Sequence, residues 1–196
     1  MKQQLTTPIG TARYPKLTTP DTKFDDAGVY SCKLILSKDD YEKLEAQINP
    51  WFEKEYERHC KESGKKRLTR ATKLPLRLND DDEYEVYAKQ VAQKTVQGKL
   101  VIFGVALFDS QGQKINGDIN IGSGSTMRLG VEPTSWYVPS MGVGYTLRLK
   151  AAQIIELKEY EGGASGFSFD AQEGGFVSED LGDAFQDDSK DASIPF

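Results

Sequence analysis

Apolar side chains occupy every second position over residues 29–36, the stretch VYSCKLIL. The even positions are all apolar, whereas the odd positions include the polar Ser31 and Lys33. A period of two is typical of a strand that buries one face. The segment is therefore predicted to be a half-buried β-strand.

A helical period begins directly after this strand. Ser37 is predicted to cap the helix, with Asp39 and Asp40 in the first turn, where carboxylates oppose the helix dipole. Large apolar residues follow at steps of three and four: Tyr41, Leu44, Ile48, Trp51, Phe52 and Tyr56. This stripe predicts a helix packed on a sheet. Asn49-Pro50 predicts a kink or the start of a second segment, because proline has no N–H to donate and clashes with the preceding turn.

From residue 84 onward, strand-like runs alternate with turn residues. The predicted strands are 84–91, 100–108, 119–121, 125–131 and 143–157, and the last two are separated by a predicted loop over 133–142. The intervening turns are short and rich in glycine, so hairpins rather than long helices connect the strands. The run 100–108 is apolar on both faces, which predicts a central strand covered on both sides.

Five or six strands with one helical insertion after an early strand favour a mainly β fold. The expected architecture is an OB-fold, a five-stranded Greek-key barrel. An immunoglobulin-like sandwich is the rival architecture. The long helical insertion and the absence of the sandwich's Cys and Trp pattern weaken that alternative.

Charge is distributed unevenly along the chain. The whole chain carries a net charge of -5, yet residues 162–196 hold eight acidic residues and a single lysine, Lys190, a charge of -7. The first 161 residues are therefore left with +2. The last segment also has six glycines and few aliphatic residues, too little apolar surface to offset the entropy of ordering it. The sequence predicts a nucleic-acid-binding domain over 1–161 and a flexible acidic tail over 162–196.

The end of the predicted tail combines acidic and apolar residues. Asp187, Asp188 and Asp191 precede the terminal Ile194, Pro195 and Phe196. An apolar hook with a free carboxylate on an anionic tether suits a basic-rimmed apolar pocket on a partner protein.

Cations and aromatic rings on polar strand faces are the main candidate chemistry. The period of two places Tyr87 beside Lys89, and puts Arg128, Arg148 and Lys150 opposite the apolar faces of their strands. Lys33 occupies the polar face of the first strand, and a predicted mobile basic loop after the helix adds Lys65, Lys66, Arg67 and Arg70. These cations are predicted to bind phosphates. A merely solvated strand face and a solvated surface loop stay open as alternatives.

Single-stranded nucleic acid needs this mixture of groups. Lysine and arginine bind phosphates, while each unpaired base gains about 1 to 3 kcal/mol by stacking on an aromatic ring. Trp136 and Tyr137 are predicted to lie in the loop between the last two strands, a position where OB-folds grip oligonucleotides. Tyr87, Trp136 and Tyr137 are therefore predicted to stack on bases. A loop anchored into the core by Trp136 and Tyr137 is the alternative.

Recognisable catalytic and metal motifs are absent from the sequence. There is no GxSxG, Walker A or HExxH motif, and His59 beside Cys60 lacks two further ligands for zinc. The acidic run 80–83 lacks the spacing of an EF-hand and favours a solvated turn. The two cysteines form no CxxC, and no apolar run approaches about 18 residues. We expect a protein of a reducing compartment with no enzymatic activity, cofactor, metal or membrane partner.

Several segments in a particular order carry a family resemblance. They are IGTARYPKL, GVYSCKLIL, VALFDSQGQKI, INIGSGSTMRLGVEP, WYVPSMGVGYTLRLKAAQIIEL and the EGG that opens the tail. With this order the chain resembles the single-stranded DNA-binding proteins of tailed bacteriophages. Its ending looks like the C-terminal tip of bacterial single-stranded DNA-binding proteins.

The resemblance implies an OB-fold and sequence-independent binding of single-stranded DNA in phage replication, recombination and repair, in the cytoplasm of an infected bacterial host. It also implies a tail that recruits replication proteins such as DNA polymerase or helicase and competes with DNA for the basic groove. The acidic run here is modest and includes Lys190, so weaker competition is expected. A homo-oligomer stays open.

Two other functions stay open beside this one. The first is an acidic-tailed protein-binding adaptor or assembly chaperone without affinity for nucleic acid. The second is a nuclease or other enzyme, which the missing carboxylate-metal constellation disfavours.

Overall fold

The structure is a computed structural model that describes residues 3–117 and 119–159. The strands within these residues are β1 (Leu5–Thr6), β2 (Gly10–Asp21), β3 (Val29–Leu36), β4 (Leu76–Leu78), β5 (Tyr84–Val91), β6 (Gln93–Val96), β7 (Lys99–Ile102), β8 (Ala106–Phe108), β9 (Thr126–Val138) and β10 (Gly142–Glu156). One helix, α1 (Lys38–Glu62), connects β3 to β4. The predicted tail, with its six named residues between 187 and 196, lies outside the described residues and stays a prediction.

Five of these strands close into a barrel. β2, β3, β5, β10 and β9 pair in that order, and β9 pairs again with β2. β5 and β10 run parallel, whereas the other neighbours in the ring run antiparallel. This is the five-stranded barrel of the OB type. The predicted mainly β fold, with one helix inserted after early strands, is confirmed.

Alternation along the strands fills the barrel with apolar side chains. In β3 and β5 the predicted inward positions are confirmed, and Leu34 and Val86 are fully buried. In β10 the predicted apolar face is confirmed as far as Leu149. A β-bulge between Leu149 and Ala151 then changes the parity, so that Ala152 rather than Ala151 is buried.

The helix begins where the sequence predicts. The Ser37 hydroxyl accepts a hydrogen bond from the backbone N–H of Asp40 at 3.2 Å, which satisfies one of the free donors of the first turn. The predicted apolar stripe packs on β9 and β10. α1 continues through Pro50 to Glu62, so the expectation of a second segment is wrong. Ile48 and Phe52 are buried on either side of the proline, and their packing outweighs the lost backbone bond.

The predicted central strand over 100–108 is wrong. Among the described residues, β7 pairs only with β6, in a separate two-stranded hairpin, and β8 pairs with β10. Leu100 and Ile102 are 61% and 76% exposed. Gln97 and Gly98 both have positive φ, 50° and 76°, as a two-residue hairpin turn requires. This local turn pairs the apolar run with its sequence neighbour, outside the barrel.

The predicted loop over 133–142 is also wrong. β9 extends to Val138 and pairs with β10 across a turn of residues 139–141. Beyond Val131, β10 is the one strand that β9 pairs with in the described part of the chain. Pro133 is therefore on a strand with a free edge, where proline is tolerated.

Other local predictions have mixed outcomes. Residues 119–121 are not a strand, and β2, the twelve-residue strand that closes the barrel, was not predicted as one. The acidic run 80–83 forms a turn, as predicted, in which the Asn79 side chain accepts from the backbone N–H groups of Asp81 and Glu83. In the part of the chain that the structure describes, no helix is long and apolar enough to cross a membrane.

Truncation of Leu147 should cost much more stability than truncation of Leu100. Leu147 is fully buried in the barrel, so Leu147→Ala removes buried methyl groups and leaves a cavity, a loss of about 2 to 5 kcal/mol. Leu100→Ala should change the free energy of unfolding by less than about 0.5 kcal/mol, because the side chain is exposed. Urea denaturation measures both. A comparable loss of unfolding free energy in Leu100→Ala would show that this part of the 100–108 run is packed in the core.

Candidate nucleic-acid interface

A groove of about 750 Å³ crosses the outer face of the barrel. Its floor carries Lys89 from β5, Arg148 from β10 and Trp136 from β9. Residues 25–27, in the connection between β2 and β3, and residues 93–96, in β6, form its walls. The groove is open to solvent along a sheet face, a shape that admits an extended chain.

Strand pairing brings the two floor cations together. Lys89 is the register partner of Arg148 in the parallel pair of β5 and β10. Both side chains are exposed, because their inward-facing neighbours Ala88 and Leu147 fill the barrel. Register partners in adjacent strands lie about 4.8 Å apart. The groove therefore holds two neighbouring positive charges on rigid backbone.

Trp136 lies on β9, not in a loop as predicted, and its ring is held at the groove from two directions. Its indole Nε1 donates to the Thr146 hydroxyl at 3.2 Å. A Cβ on Gly144 would lie 2.5 Å from Cζ2 of the ring, so the indole occupies the space that glycine leaves free. The ring is half-buried, and it lines the groove in a fixed orientation.

Tyr137 is not brought into the groove. It follows Trp136 on β9 and so points to the opposite face of the strand. Its ring packs against the core, with its centroid 6.4 Å from that of His59 on α1. This position matches the alternative of a ring anchored against the core.

Tyr87 and Lys33 lie beside the groove on the same outer face. They are register partners in β3 and β5, and Tyr87 is half-buried. Lys33 Nζ lies 3.1 Å from the carboxylate of Glu85, and the Arg77 guanidinium lies 2.5 Å from it. Glu85 is only 2% exposed. Two cations thus share one buried carboxylate, so this cluster keeps a single net positive charge.

Arg70 is held within the protein. Its guanidinium donates to both oxygens of Glu53 at 2.7 and 2.6 Å and lies 4.3 Å from the centroid of the Tyr56 ring. The bonds from Arg70 lower the pKa of the Glu53 carboxyl, and those to Glu53 raise the pKa of Arg70. A guanidinium whose donors are already bound to a carboxylate is less available to a phosphate.

The basic loop is bound to the barrel at one place, and its mobility stays a prediction. Ala71 donates to the carbonyl of Val143, and Val143 donates to that of Thr69, both at 2.8 Å. These bonds fix residues 69–71 to the start of β10. Lys65, Lys66 and Arg67 are exposed outside the groove, and each lacks a salt bridge to any residue that the structure describes.

The remaining predicted cations are separated. Lys150 lies beside the groove, with Nζ 3.7 Å from Glu132 and 6.0 Å from the centroid of Phe103. Arg128 is farther along β9, where its Nε donates to Gln153 at 2.6 Å. The structure therefore gathers Lys89, Arg148 and Trp136 in one groove and places Tyr87, Lys33 and Lys150 next to it. The other predicted residues of the described ranges lie elsewhere.

Two residues of the groove were not predicted from the sequence. Lys94 on β6 is exposed at the groove wall, and Phe103 follows β7 and lines the same space. The sequence predicts Phe103 in a buried central strand, so it was not considered as a groove residue. The turn at Gln97 and Gly98 was the available signal, because a two-residue turn pairs the run that follows it with the segment before it, here β7 with β6.

Acidic groups and metal ligands are sparse at this site. Asp25 is the acidic residue among those that line the groove. Across residues 3–117 and 119–159, no group of three or more His, Cys, Asp or Glu side chains is arranged to hold a metal ion. The chemistry of the groove is therefore that of exposed cations beside aromatic rings.

Solved structures with this fold include phage proteins. The crystal structure of gp2.5, a single-stranded DNA-binding protein encoded by bacteriophage T7, has a TM-score of 0.72 and 22% sequence identity, covering 91% of this chain and 100% of that chain. The single-stranded DNA-binding protein from bacteriophage Enc34 in complex with ssDNA has a TM-score of 0.60 and 14% identity, covering 81% and 89%. At these identities the likeness shows a shared fold. No family model and no curated protein matches the sequence.

Substitution of Gly144 should displace the Trp136 ring. In a Trp51→Phe background, Gly144→Ala puts a methyl group 2.5 Å from the indole, and the ring must move towards solvent. We expect the tryptophan emission to shift to longer wavelength and the thermal midpoint to fall. Gly104→Ala is the matched control, because a Cβ there meets nothing within 4 Å. Unchanged emission in Gly144→Ala would contradict the described packing.

Proposed function

We propose that this chain is a single-stranded DNA-binding protein of the tailed-phage type, which binds DNA without sequence preference in the groove. The observation that carries the proposal is the convergence of Lys89, Arg148 and Trp136 on one rigid outer face, with Lys94 and Phe103 at its wall. Phosphates bind the cations while unpaired bases stack on the rings. This is also the side of an OB-fold barrel on which oligonucleotides commonly bind.

The composition of the groove favours a single strand over a duplex. A duplex presents phosphates but keeps its bases stacked on one another, so cations alone would suffice for it. Trp136 gains a partner only if bases are unpaired, and stacking is tolerant of sequence because every base has a π-face. Sequence-independent binding to single-stranded DNA follows from these two features.

The proposed role is to coat and protect exposed strands in phage DNA replication, recombination and repair, inside an infected bacterial cell. The fold shared with the T7 and Enc34 proteins supports this role. We infer a binding protein without enzymatic activity, because exposed cations and aromatic rings hold a strand by contacts that leave its covalent bonds intact.

We also propose that the tail recruits replication proteins, with DNA polymerase or helicase as candidates. Asp187, Asp188 and Asp191 would approach a basic rim on the partner, and Ile194 and Phe196 would enter an apolar pocket. The same acidic residues can bind the cations of the groove when DNA is absent.

A protein-binding adaptor is the second candidate function. The observation that favours it is the exposed apolar surface of the β6–β7 hairpin, where Leu100 and Ile102 are 61% and 76% exposed. Exposed apolar patches commonly mark protein contacts. An adaptor predicts no salt-dependent affinity for DNA, so the titration described next separates the two functions.

Loss of the floor cations should weaken DNA binding and its salt dependence. In titrations with poly-dT followed by tryptophan fluorescence, Lys89→Ala and Arg148→Ala should each bind more weakly than the unchanged protein. Each should also lower the slope of log affinity against log salt by about 0.7, the value for one phosphate contact on a single strand. Lys54→Ala, which removes an exposed lysine of α1 outside the groove, should change neither quantity.

The fluorescence signal itself identifies the stacking ring. Quenching should persist in Trp51→Phe, because that ring packs edge-on against Tyr145 in the protein, with centroids 5.9 Å apart. Quenching should disappear in Trp136→Phe. Absence of both quenching and oligonucleotide retardation at low salt in the unchanged protein would overturn the proposed function and leave the adaptor.

Removal of residues 187–196 should separate the two roles of the tail. The deletion takes away three acidic residues and the apolar tip, so poly-dT should bind modestly more tightly at low salt. Retention of a helicase or polymerase on immobilised protein should be lost. Deletion of Phe196 alone should abolish retention and leave DNA affinity unchanged, since it removes no side-chain charge. Retention that survives both deletions would contradict the role of the tail.

Light scattering of the same samples reports oligomeric state.

A further inference from the structure

A strained aromatic residue interrupts β2 outside the groove that holds Trp136. Between Arg13 and Lys16 the pairing of β2 with β3 shifts by one residue, which is a β-bulge. Tyr14, in this bulge, has a φ of 49°, a left-handed conformation that bulky L-residues rarely adopt. Its ring is 71% exposed. The strain therefore holds a large ring in solvent, where it contributes little to the core.

The Tyr14 backbone is held by a specific contact. Its N–H donates to the hydroxyl of Ser123 at 2.9 Å, and Ser123 belongs to the turn before β9. Because bulges and strained residues are found where a side chain is re-aimed towards a ligand, the contact indicates that the position of the ring has a use.

The ring stands beside a second crevice. This crevice, of about 590 Å³, lies between β2 and residues 120–123. Lys16, Thr18 and Ser123 contribute an ammonium group and two hydroxyls to its lining, and Glu159 is its acidic member. The Lys16 side chain is exposed and makes no salt bridge to any residue in the described ranges. The crevice thus joins an aromatic ring to an available cation and neutral hydrogen-bonding groups.

A row of register partners leads from the crevice to the groove. Lys16 pairs with Ser31, Ser31 pairs with Lys89, and Lys89 pairs with Arg148. These four residues form one row across four strands on the outer face. At about 4.8 Å per strand, the row spans about 14 Å between the Cα atoms of Lys16 and Arg148. Three of its four members are cations.

We propose that Tyr14 and Lys16 form a second subsite for the same single strand, with one unpaired base stacked on Tyr14 and its phosphate on Lys16. This inference rests on the proposed function. The strand enters at Trp136, crosses Arg148, Lys89 and Ser31, and leaves at the bulge. The bulge therefore sets the length of DNA that one molecule occupies, because a short oligonucleotide can fill the groove without reaching it.

The occupant favoured by this chemistry is a nucleotide rather than a peptide. The ring, the ammonium group and the hydroxyls provide a stacking face, a phosphate contact and contacts for sugar or base edges. Continuity with the cations of the groove adds a path for a phosphate backbone. An apolar peptide would find Tyr14 alone, without an enclosed apolar pocket around it.

Oligonucleotides of two lengths test the subsite. OB-folds occupy about 4 to 16 nucleotides, so dT of about 4 and about 16 residues bracket a strand confined to the groove and one that reaches the bulge. Tyr14→Ala should weaken binding of the long oligonucleotide by about 5- to 150-fold, the factor for one stacked base. It should leave the short one unchanged. Tyr14→Phe keeps the ring and should bind both lengths like the unchanged protein.

Two further variants separate the ring from the strain and the charge. Tyr14→Gly relieves the left-handed backbone and removes the ring, so it should lose affinity for the long oligonucleotide as Tyr14→Ala does. Lys16→Ala should lower the salt slope by about 0.7 for the long oligonucleotide only. Leu78→Ala, at a residue 51% exposed, is the control for loss of an exposed apolar side chain and should change neither length.

The outcomes distinguish this inference from the function on which it rests. Equal affinity of Tyr14→Ala and unchanged protein for the long oligonucleotide would overturn the subsite while short-oligonucleotide binding upholds the groove. An equal loss at both lengths would overturn it as well, since the residue would then act on the whole barrel. If unchanged protein binds neither oligonucleotide, both proposals fall. Tyr14→Trp in a background of Trp51→Phe and Trp136→Phe gives an independent readout, because all tryptophan emission then comes from residue 14 and should be quenched only by the long oligonucleotide.

Discussion

The parallel pairing of β5 with β10 is the contact on which the candidate site depends. It closes the barrel between two strands that lie far apart in sequence, and its register sets Leu147 against Ala88 inside and Arg148 against Lys89 outside. Because strand side chains alternate, a slip of one residue would bury Arg148 and expose Leu147. The burial of Leu147 therefore holds the cation pair in place. The same register therefore fixes both the packing of the core and the position of the two cations.

Availability of cations, rather than their number, distinguishes the groove from the rest of the surface. Arg13, Arg70 and Arg77 all contact carboxylates at 2.5 to 2.6 Å, and a charge satisfied in this way has less to offer a phosphate. Lys89 and Lys16 have no such partner within the described ranges. The overall charge of -5 consequently says little about binding. What matters for an anionic strand is a row of unsatisfied cations on rigid backbone.

The two aromatic rings proposed to stack on bases are positioned by opposite means. Trp136 rests where Gly144 has no side chain, and a hydrogen bond to Thr146 fixes its rotation. Tyr14 is turned outward by a backbone conformation that costs free energy and is retained by a bond to Ser123. The contacts of Trp136 reduce the freedom that its ring must lose on stacking, which favours binding, whereas the contact at Tyr14 fixes the backbone that carries the ring.

Periodicity in the sequence determined the elements that bury one regular face. β3, β5, the start of α1 and most of β10 could be predicted, because a buried face leaves a period of two or of 3.6 in the chain. The same alternation placed Lys89 and Arg148 on outer faces. The tertiary structure alone decided which strands are neighbours, and hence that Lys89, Arg148 and Trp136 meet. It also placed Lys99–Ile102 in an exposed hairpin and Tyr137 against the core, since an apolar residue carries no record of which surface it will contact.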